Sequence, residues 1–320
     1  MNKKPIIIVA GEPNSVFLEL FFKCFKGNRY KTPIIMIVSE KLLLSQMRKL
    51  NYNFNIKLID KNIKNLNNLN NKYINIINKN YDFKKTFDLI SSNSNGYIKS
   101  CFDTALEILA NRSCKGLING PISKKHFLQE KFLGITEYLA NKTKVKDVAM
   151  LIYNKKLSVN PLTTHVPLKN VYKYISIKKI ITNVKLINKF YKINFKRTPK
   201  IGITGLNPHC ESNYKSSEED KIITPAIKIL LKNRYDVKGP IAADTIFMKE
   251  QSNKYDLIIG MYHDQVLTPM KTLFSFKAIN ITLGLPFIRI SPDHGPNTVM
   301  LGKNKSNPES LHEAIKFLDK

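Results

Sequence analysis

Short runs of β-branched residues alternate along the chain with longer stretches whose apolar positions recur every three or four residues. A solid apolar run or a period of two marks a strand, and a period near 3.6 marks a helix. On that basis residues 6–10, 34–38, 117–119, 149–153, 201–206, 257–261 and 279–282 are predicted as strands. Residues 15–26, 97–111, 177–191, 217–233 and 309–318 are predicted as helices, with Phe102, Ala105, Leu106 and Leu109 forming one apolar stripe. Ser216 and Ser217 offer capping hydroxyls to the 217–233 helix, and Glu218, Glu219 and Asp220 favour the positive end of its dipole. This alternation predicts an α/β fold with a largely parallel sheet. Residues 51–80 break the rhythm with Asn, Lys, Ile and Leu, so they read as a surface excursion with a strand near 56–59 and no chemistry. No repeat of solenoid or propeller period is present.

Composition then narrows the class. The chain has 320 residues, 43% hydrophobic and 24% charged, which suits an ordinary folded protein of about two domains. No apolar stretch approaches the roughly 20 residues that span a bilayer. The run following Lys4-Pro5 is too short for the core of a signal peptide, so a cytoplasmic protein is expected. The 52 Lys plus Arg against 24 Asp plus Glu give a net charge of +28, which taken alone suits a polyanionic partner. The excess is nearly all Lys, interleaved with Asn and Ile as AT-rich coding bias would leave it, and Arg, the better reader of phosphates and base edges, is scarce. Nucleic acid is therefore not the expected partner, and a non-catalytic basic nucleic-acid-binding protein stands as the alternative from another class. Cys24, Cys101, Cys114 and Cys210 lack metal-ligand spacing and read as reduced thiols.

The candidate chemistry lies in the second half. His165 follows a β-like run, His209 follows the 201–206 strand within Gly205-Leu206-Asn207-Pro208-His209, and His263 follows the 257–261 strand. Each falls near the carboxyl end of a strand, where open α/β sheets place their ligands, and three imidazoles could share a divalent metal. Structural histidines are the competing reading. Asp244, after the Gly239-Pro240 turn, is either a general base or the cap of a short helix through Phe247. Arg289, a rare Arg in an apolar strand, needs an anion. Lys271 is one of many lysines and gains no weight from composition. No G-x-G-x-x-G follows a strand and no P-loop motif is present, so residues 293–307 form either a nucleotide loop of another kind or a long connection.

Taken in order, several motifs resemble the 4-hydroxythreonine-4-phosphate dehydrogenase family of pyridoxal phosphate biosynthesis. They are Gly11-Glu12-Pro13, Asn119-Gly120-Pro121-Ile122-Ser123-Lys124, Gly134-Ile135-Thr136-Glu137, Thr164-His165-Val166-Pro167-Leu168, Gly205-Leu206-Asn207-Pro208-His209, Gly239 to Thr245, Met261-Tyr262-His263-Asp264-Gln265, Asn280 to Arg289, and Asp293-His294-Gly295. The resemblance implies two α/β/α domains around a central cleft, as in isocitrate and isopropylmalate dehydrogenases, and a homodimer with the active site at its interface. The expected division is a terminal domain of residues 1–125 plus 283–320 and a central one of 126–282.

By position, His165, His209 and His263 would bind one divalent metal (Zn, Co or Mg). Asp244 and Lys271 would be catalytic. Thr136, Lys271, Asn280 and Arg289 would contact the substrate, and His294, Gly295 and Asn307 would bind NAD or NADP. The implied reaction is oxidation of 4-phosphooxy-L-threonine at C3, followed by decarboxylation to 3-amino-2-oxopropyl phosphate. This chain departs from the family's usual pattern in its first loop, where Asn14-Ser15-Val16-Phe17 replaces a glycine-rich run. It also carries Ile135 for a usual His, Cys210-Glu211-Ser212-Asn213 for a Gly-rich segment, and Pro296-Asn297 for Thr-Ala. The loss of an imidazole at Ile135 leaves a phosphorylated threonate or erythronate as the alternative substrate.

Overall fold

The computed structural model describes residues 4–60, 69–111, 113–128, 132, 134–210, 216–292 and 294–319. Its strands are β1 (Ile6–Val9), β2 (Ile34–Val38), β3 (Ile56–Leu58), β4 (Ile74–Asn78), β5 (Gly116–Asn119), β6 (Ala149–Tyr153), β7 (Ser158–Pro161), β8 (Ile201–Thr204), β9 (Val237–Ile241), β10 (Leu257–Gly260), β11 (Ile279–Leu283) and β12 (Arg289–Pro292). The helices are α1 (Phe17–Gly27), α2 (Glu40–Lys49), α3 (Asn95–Ala110), α4 (Ile135–Lys142), α5 (Ile177–Phe195), α6 (Thr224–Lys232), α7 (Ala243–Ile246), α8 (Lys249–Ser252), α9 (His263–Phe274) and α10 (Glu309–Leu318). The α/β class expected from the alternation is thus observed. No helix among the described residues is long and apolar enough to cross a membrane.

Two compact units form, Met1–Leu139 with Pro286–Lys320, and Ala140–Leu285. In the first, the strand order is β3-β4-β2-β1-β5-β12, with every pairing parallel. Every position of β1 and β2 is buried, as solid apolar strands are when helices cover both faces of a sheet. Phe17, Leu20, Phe21 and Phe22 of α1, Phe102 and Ala105 of α3, and Leu311, Ala314 and Ile315 of α10 supply much of that cover. Segment 126–139, expected in the central domain, belongs to this unit, because the Tyr138 ring packs against Phe102 and Phe127 at centroid distances of 6.0 and 5.4 Å.

The second unit runs β11-β6-β7-β10-β8-β9. Here β6 is antiparallel to both neighbours, so the sheet is mixed, whereas β7, β10, β8 and β9 are mutually parallel. Ile152, Val159, Ile258, Val266 and Met270 form part of one core cluster. Ser217 caps the segment leading into α6 as expected, its Oγ accepting from the Asp220 N–H at 3.2 Å. The 201–206 strand is shorter than expected and ends at Thr204, where the chain turns toward His209.

Candidate active site

In the central unit, β7, β10 and β8 lie side by side and parallel, and His165, His263 and His209 follow their respective carboxyl ends. Side chains lace the three turns together. Thr163 donates through its N–H and its Oγ1 to the Met261 carbonyl at 3.2 and 2.8 Å, tying the turn before His165 to the end of β10. Gln265 Oε1 accepts from the Met261 N–H at 2.7 Å and from Thr204 Oγ1 at 2.9 Å, and its Nε2 donates to the Gly205 carbonyl at 2.9 Å. Each histidine thus rides on a turn fixed to its neighbour.

The His165 and His263 rings lie 6.3 Å apart, centroid to centroid. They line a cavity of about 250 Å³ with Thr164, Tyr262 and Asp264, walled on its apolar side by Val166, Leu168 and Val171. His263 opens α9, and its Nδ1 lies 2.6 Å from Asp264 Oδ1. A carboxylate beside Nδ1 is the arrangement that orients metal-binding imidazoles, leaving Nε2 to face a cation. His209 sits at φ 56°, followed by Cys210 at φ 59°, a left-handed pair that costs free energy in residues with a Cβ. Its Nδ1 is 3.8 Å from Asp244 Oδ2.

Glu219 braces that turn. Oε1 accepts from the Leu206 and Asn207 N–H groups at 2.7 and 2.9 Å, and Oε2 accepts from Asn207 Nδ2 at 2.8 Å. Burial alone would raise its pKa, but the bonds from Asn207 and Leu206 outweigh burial and hold it below the usual value. The structure therefore brings together His165 with His263, and His209 with Asp244. Among the described residues no three His, Cys, Asp or Glu side chains of one chain converge to hold a metal. The donor chemistry fits a divalent cation, with two imidazoles on one cavity and an orienting carboxylate behind one of them. Asp244 lies in the first turn of α7, but the cap position belongs to Ala242 and no side chain caps it, so the capping alternative for Asp244 is corrected.

Lys271 is exposed, two turns further along α9 from His263. Asn280 sits on β11, and its Oδ1 is buried without a hydrogen-bond partner among the described residues, an acceptor that a ligand can satisfy.

In the terminal unit, Arg289 begins β12 and is 1% exposed. Its Nε donates to Asn119 Oδ1 at 2.7 Å and its Nη1 to Thr136 Oγ1 at 3.4 Å. Burial pushes the guanidinium down to about 10, while the nearby Glu137 carboxylate works in the opposite direction. The loop that lost its glycines is held by its replacements. Ser15 Oγ donates to the Glu12 carbonyl at 2.7 Å, Asn14 Oδ1 accepts from the Asp88 N–H at 3.0 Å, and the Val16 N–H donates to the Pro296 carbonyl at 3.1 Å. Gly120 survives for a steric reason, since a Cβ there would stand 2.1 Å from the Ala10 carbonyl oxygen.

Of the expected cofactor residues, His294 Nδ1 lies 2.9 Å from the Gly295 carbonyl, and Asn307 Oδ1 accepts from the Glu309 N–H at 2.8 Å, opening α10. Val299 on the same loop is 75% exposed, an apolar surface that a flat base can cover. Asp293 and residues 211–213 of the sequence motifs lie outside the described residues. Sequence reasoning missed Asn119, Asp264, Gln265 and Glu219 as supporting groups. Asp264 and Gln265 were signalled by adjacency to His263, and Asn119 by standing at the end of a predicted strand.

The profile described as "Pyridoxal phosphate biosynthetic protein PdxA" matches residues 29–318. A protein of Sulfurihydrogenibium sp. (strain YO3AOP1) named 4-hydroxythreonine-4-phosphate dehydrogenase is 36% identical over 316 residues, covering 98% of this chain and 96% of its own. The D-threonate 4-phosphate dehydrogenase of Salmonella typhimurium (strain LT2) is 34% identical over 220 residues, covering 68% of this chain and 67% of its own. Among solved structures, 4-hydroxythreonine-4-phosphate dehydrogenase from Klebsiella pneumoniae superposes with a TM-score of 0.86 at 26% identity, covering 99% of this chain and 98% of that one. With the profile spanning most of its length and relatives above 30% identity spanning nearly all of it, the chain belongs to the PdxA family of pyridoxal phosphate biosynthetic proteins.

Proposed function

We propose that this chain oxidises 4-phosphooxy-L-threonine at C3, using NAD or NADP and a divalent cation (Zn, Co or Mg), as a homodimer in the cytoplasm. The observation that carries the reading is the set of three imidazoles at the ends of adjacent parallel strands, one of them oriented by Asp264, in a chain of this family. His165, His263 and His209 would hold the cation, with ligands contributed across the dimer. When bound, the cation acts as a Lewis acid that lowers the alcohol's pKa, and the dinucleotide accepts hydride.

The chain's own groups do the rest. Asp244 takes the hydroxyl proton, Lys271 and Arg289 neutralise the substrate's phosphate and carboxylate, and Thr136 and Asn280 orient it. His294, Gly295 and Asn307 serve the dinucleotide. The product, 2-amino-3-oxo-4-phosphooxybutanoate, is a β-keto acid and loses CO2 to give 3-amino-2-oxopropyl phosphate. NADH formation from 4-phosphooxy-L-threonine, with and without chelator, on wild type and His209→Ala tests this. Activity lost with chelator, restored by Zn2+, Co2+ or Mg2+, and lost in the variant is the expected result; no NADH under any metal refutes it.

A second reading, oxidation of a four-carbon sugar acid such as threonate 4-phosphate, is favoured by Ile135 and by the relative named for that substrate. Comparison of kcat/KM on the two substrates separates the readings.

A further inference from the structure

An ion pair on α1, with a buried carboxylate and a partly exposed ammonium, grips the loop that leads to Asn307. Glu19 is 2% exposed, and its Oε1 accepts from Lys23 Nζ at 2.9 Å and from the Ser306 N–H at 2.6 Å. Lys23 Nζ also donates to the carbonyls of Asn304 at 3.0 Å and Ser306 at 2.7 Å. Tyr52 adds a hydroxyl to Asn304 Oδ1 at 3.2 Å. Two side chains one helical turn apart therefore satisfy three backbone groups of residues 304–306, directly before the Asn307 carboxamide that opens α10. Glu19 Oε2 and Ser306 Oγ are buried without hydrogen-bond partners among the described residues, so Oε1 carries all of the carboxylate's compensation. The loss of hydration on burying this carboxylate is offset by the Lys23 ammonium and the Ser306 N–H.

We propose that Glu19 and Lys23 are positioning residues that hold the 304–306 backbone in the form that receives the dinucleotide, which rests on the reading of 293–307 as the cofactor loop. A loop ordered in advance binds without the cost of ordering it. The ion pair reaches the loop through the backbone groups of Asn304 and Ser306.

The test uses purified full-length protein: calorimetric titration with NAD of wild type, Lys23→Met, Lys23→Arg and Glu19→Gln, with hydrogen exchange followed at residues 303–307. Lys23→Met and Glu19→Gln are expected to raise the Kd for NAD by roughly tenfold or more, the scale of lost supporting contacts. They should also speed exchange at the Ser306 amide, and Lys23→Arg should recover most of the affinity. In turnover, KM for NAD rises more than kcat falls. If wild type binds NAD and Lys23→Met binds it equally well, with or without faster exchange, the pair is structural only and the inference falls while the cofactor reading stands. If wild type binds neither NAD nor NADP, the cofactor reading falls and takes the inference with it.

Discussion

Replacing Asn119 with Ala removes the carboxamide that faces the buried Arg289 guanidinium. Both residues are 1% exposed and the bond is 2.7 Å long, so water cannot readily take the acceptor's place. A hydrogen bond to a charged group contributes roughly 1.5–3 kcal/mol. Asn119 Nδ2 also donates to the Gly120 carbonyl at 2.8 Å, a neutral bond that contributes about 1 kcal/mol. Arg289 retains the Thr136 hydroxyl and the Glu137 charge, so its cation is not stranded and the larger penalty of an uncompensated buried charge is avoided. The expected cost is about 3 kcal/mol. Urea unfolding at neutral pH reads it as a lower midpoint with an unchanged m-value. A loss below about 1 kcal/mol would mean that the guanidinium relaxes onto other partners, and Asn119 would then not be the group that orients it. In turnover the same variant should raise KM for the phosphorylated substrate more than it lowers kcat.

Burial lifts the Glu12 carboxyl above its ordinary 4.5 against the opposing bonds from the Asn14 N–H and Ser94 Oγ. The fold therefore favours its neutral form, and its contribution to stability is present below pH 4.5 and lost as pH rises through the raised value. Glu12→Gln should gain stability relative to wild type between pH 4.5 and 7.5 in urea unfolding; a difference that does not change with pH refutes the sign. Gly120→Ala should destabilise by about 3 kcal/mol or more, because the new Cβ meets main chain and cannot be relieved by a rotamer change. Gly27→Ala, with nothing within 4 Å of the new Cβ, should be neutral or slightly stabilising, both glycine variants being compared with wild type in urea unfolding. Glu219→Ala should weaken Zn2+ binding by about tenfold to a hundredfold in a competition titration, since Glu219 braces the turn before His209; unchanged affinity would show that the turn holds itself.

The sequence made the apolar strands legible and the polar ones obscure. β1 and β2 are unbroken aliphatic runs, but β7 reads Ser-Val-Asn-Pro and is buried throughout. Its polarity is paid for by side chains remote in sequence, with Asn160 Oδ1 accepting from Asn183 Nδ2 and Ser158 Oγ from the Tyr191 hydroxyl. β4 hides in the Asn-rich stretch because Asn75 Nδ2 finds the Ile34 and Asn70 carbonyls, contacts no local pattern announces. α9 was masked by Pro269 in its interior and by a polar first turn that resembles a loop. The histidines were legible by their place after strands. The groups that fix them were not, because Gln265 and Thr163 act through backbone atoms of neighbouring strands. Arg289 was found by its rarity, whereas Glu19 and Lys23 look like any helical pair at that spacing.

The terminal unit is closed by the last strand and helix, β12 beside β5 and α10 against both strands and α1. On the ribosome this order has a price in time. Residues 140–285 can complete their own sheet as they emerge, while β5 waits with one edge unpaired until β12 is synthesised. A ribosome stalled short of residue 289 leaves an apolar strand edge open to a neighbouring nascent chain, so residues translated late govern whether strands translated early stay out of aggregates.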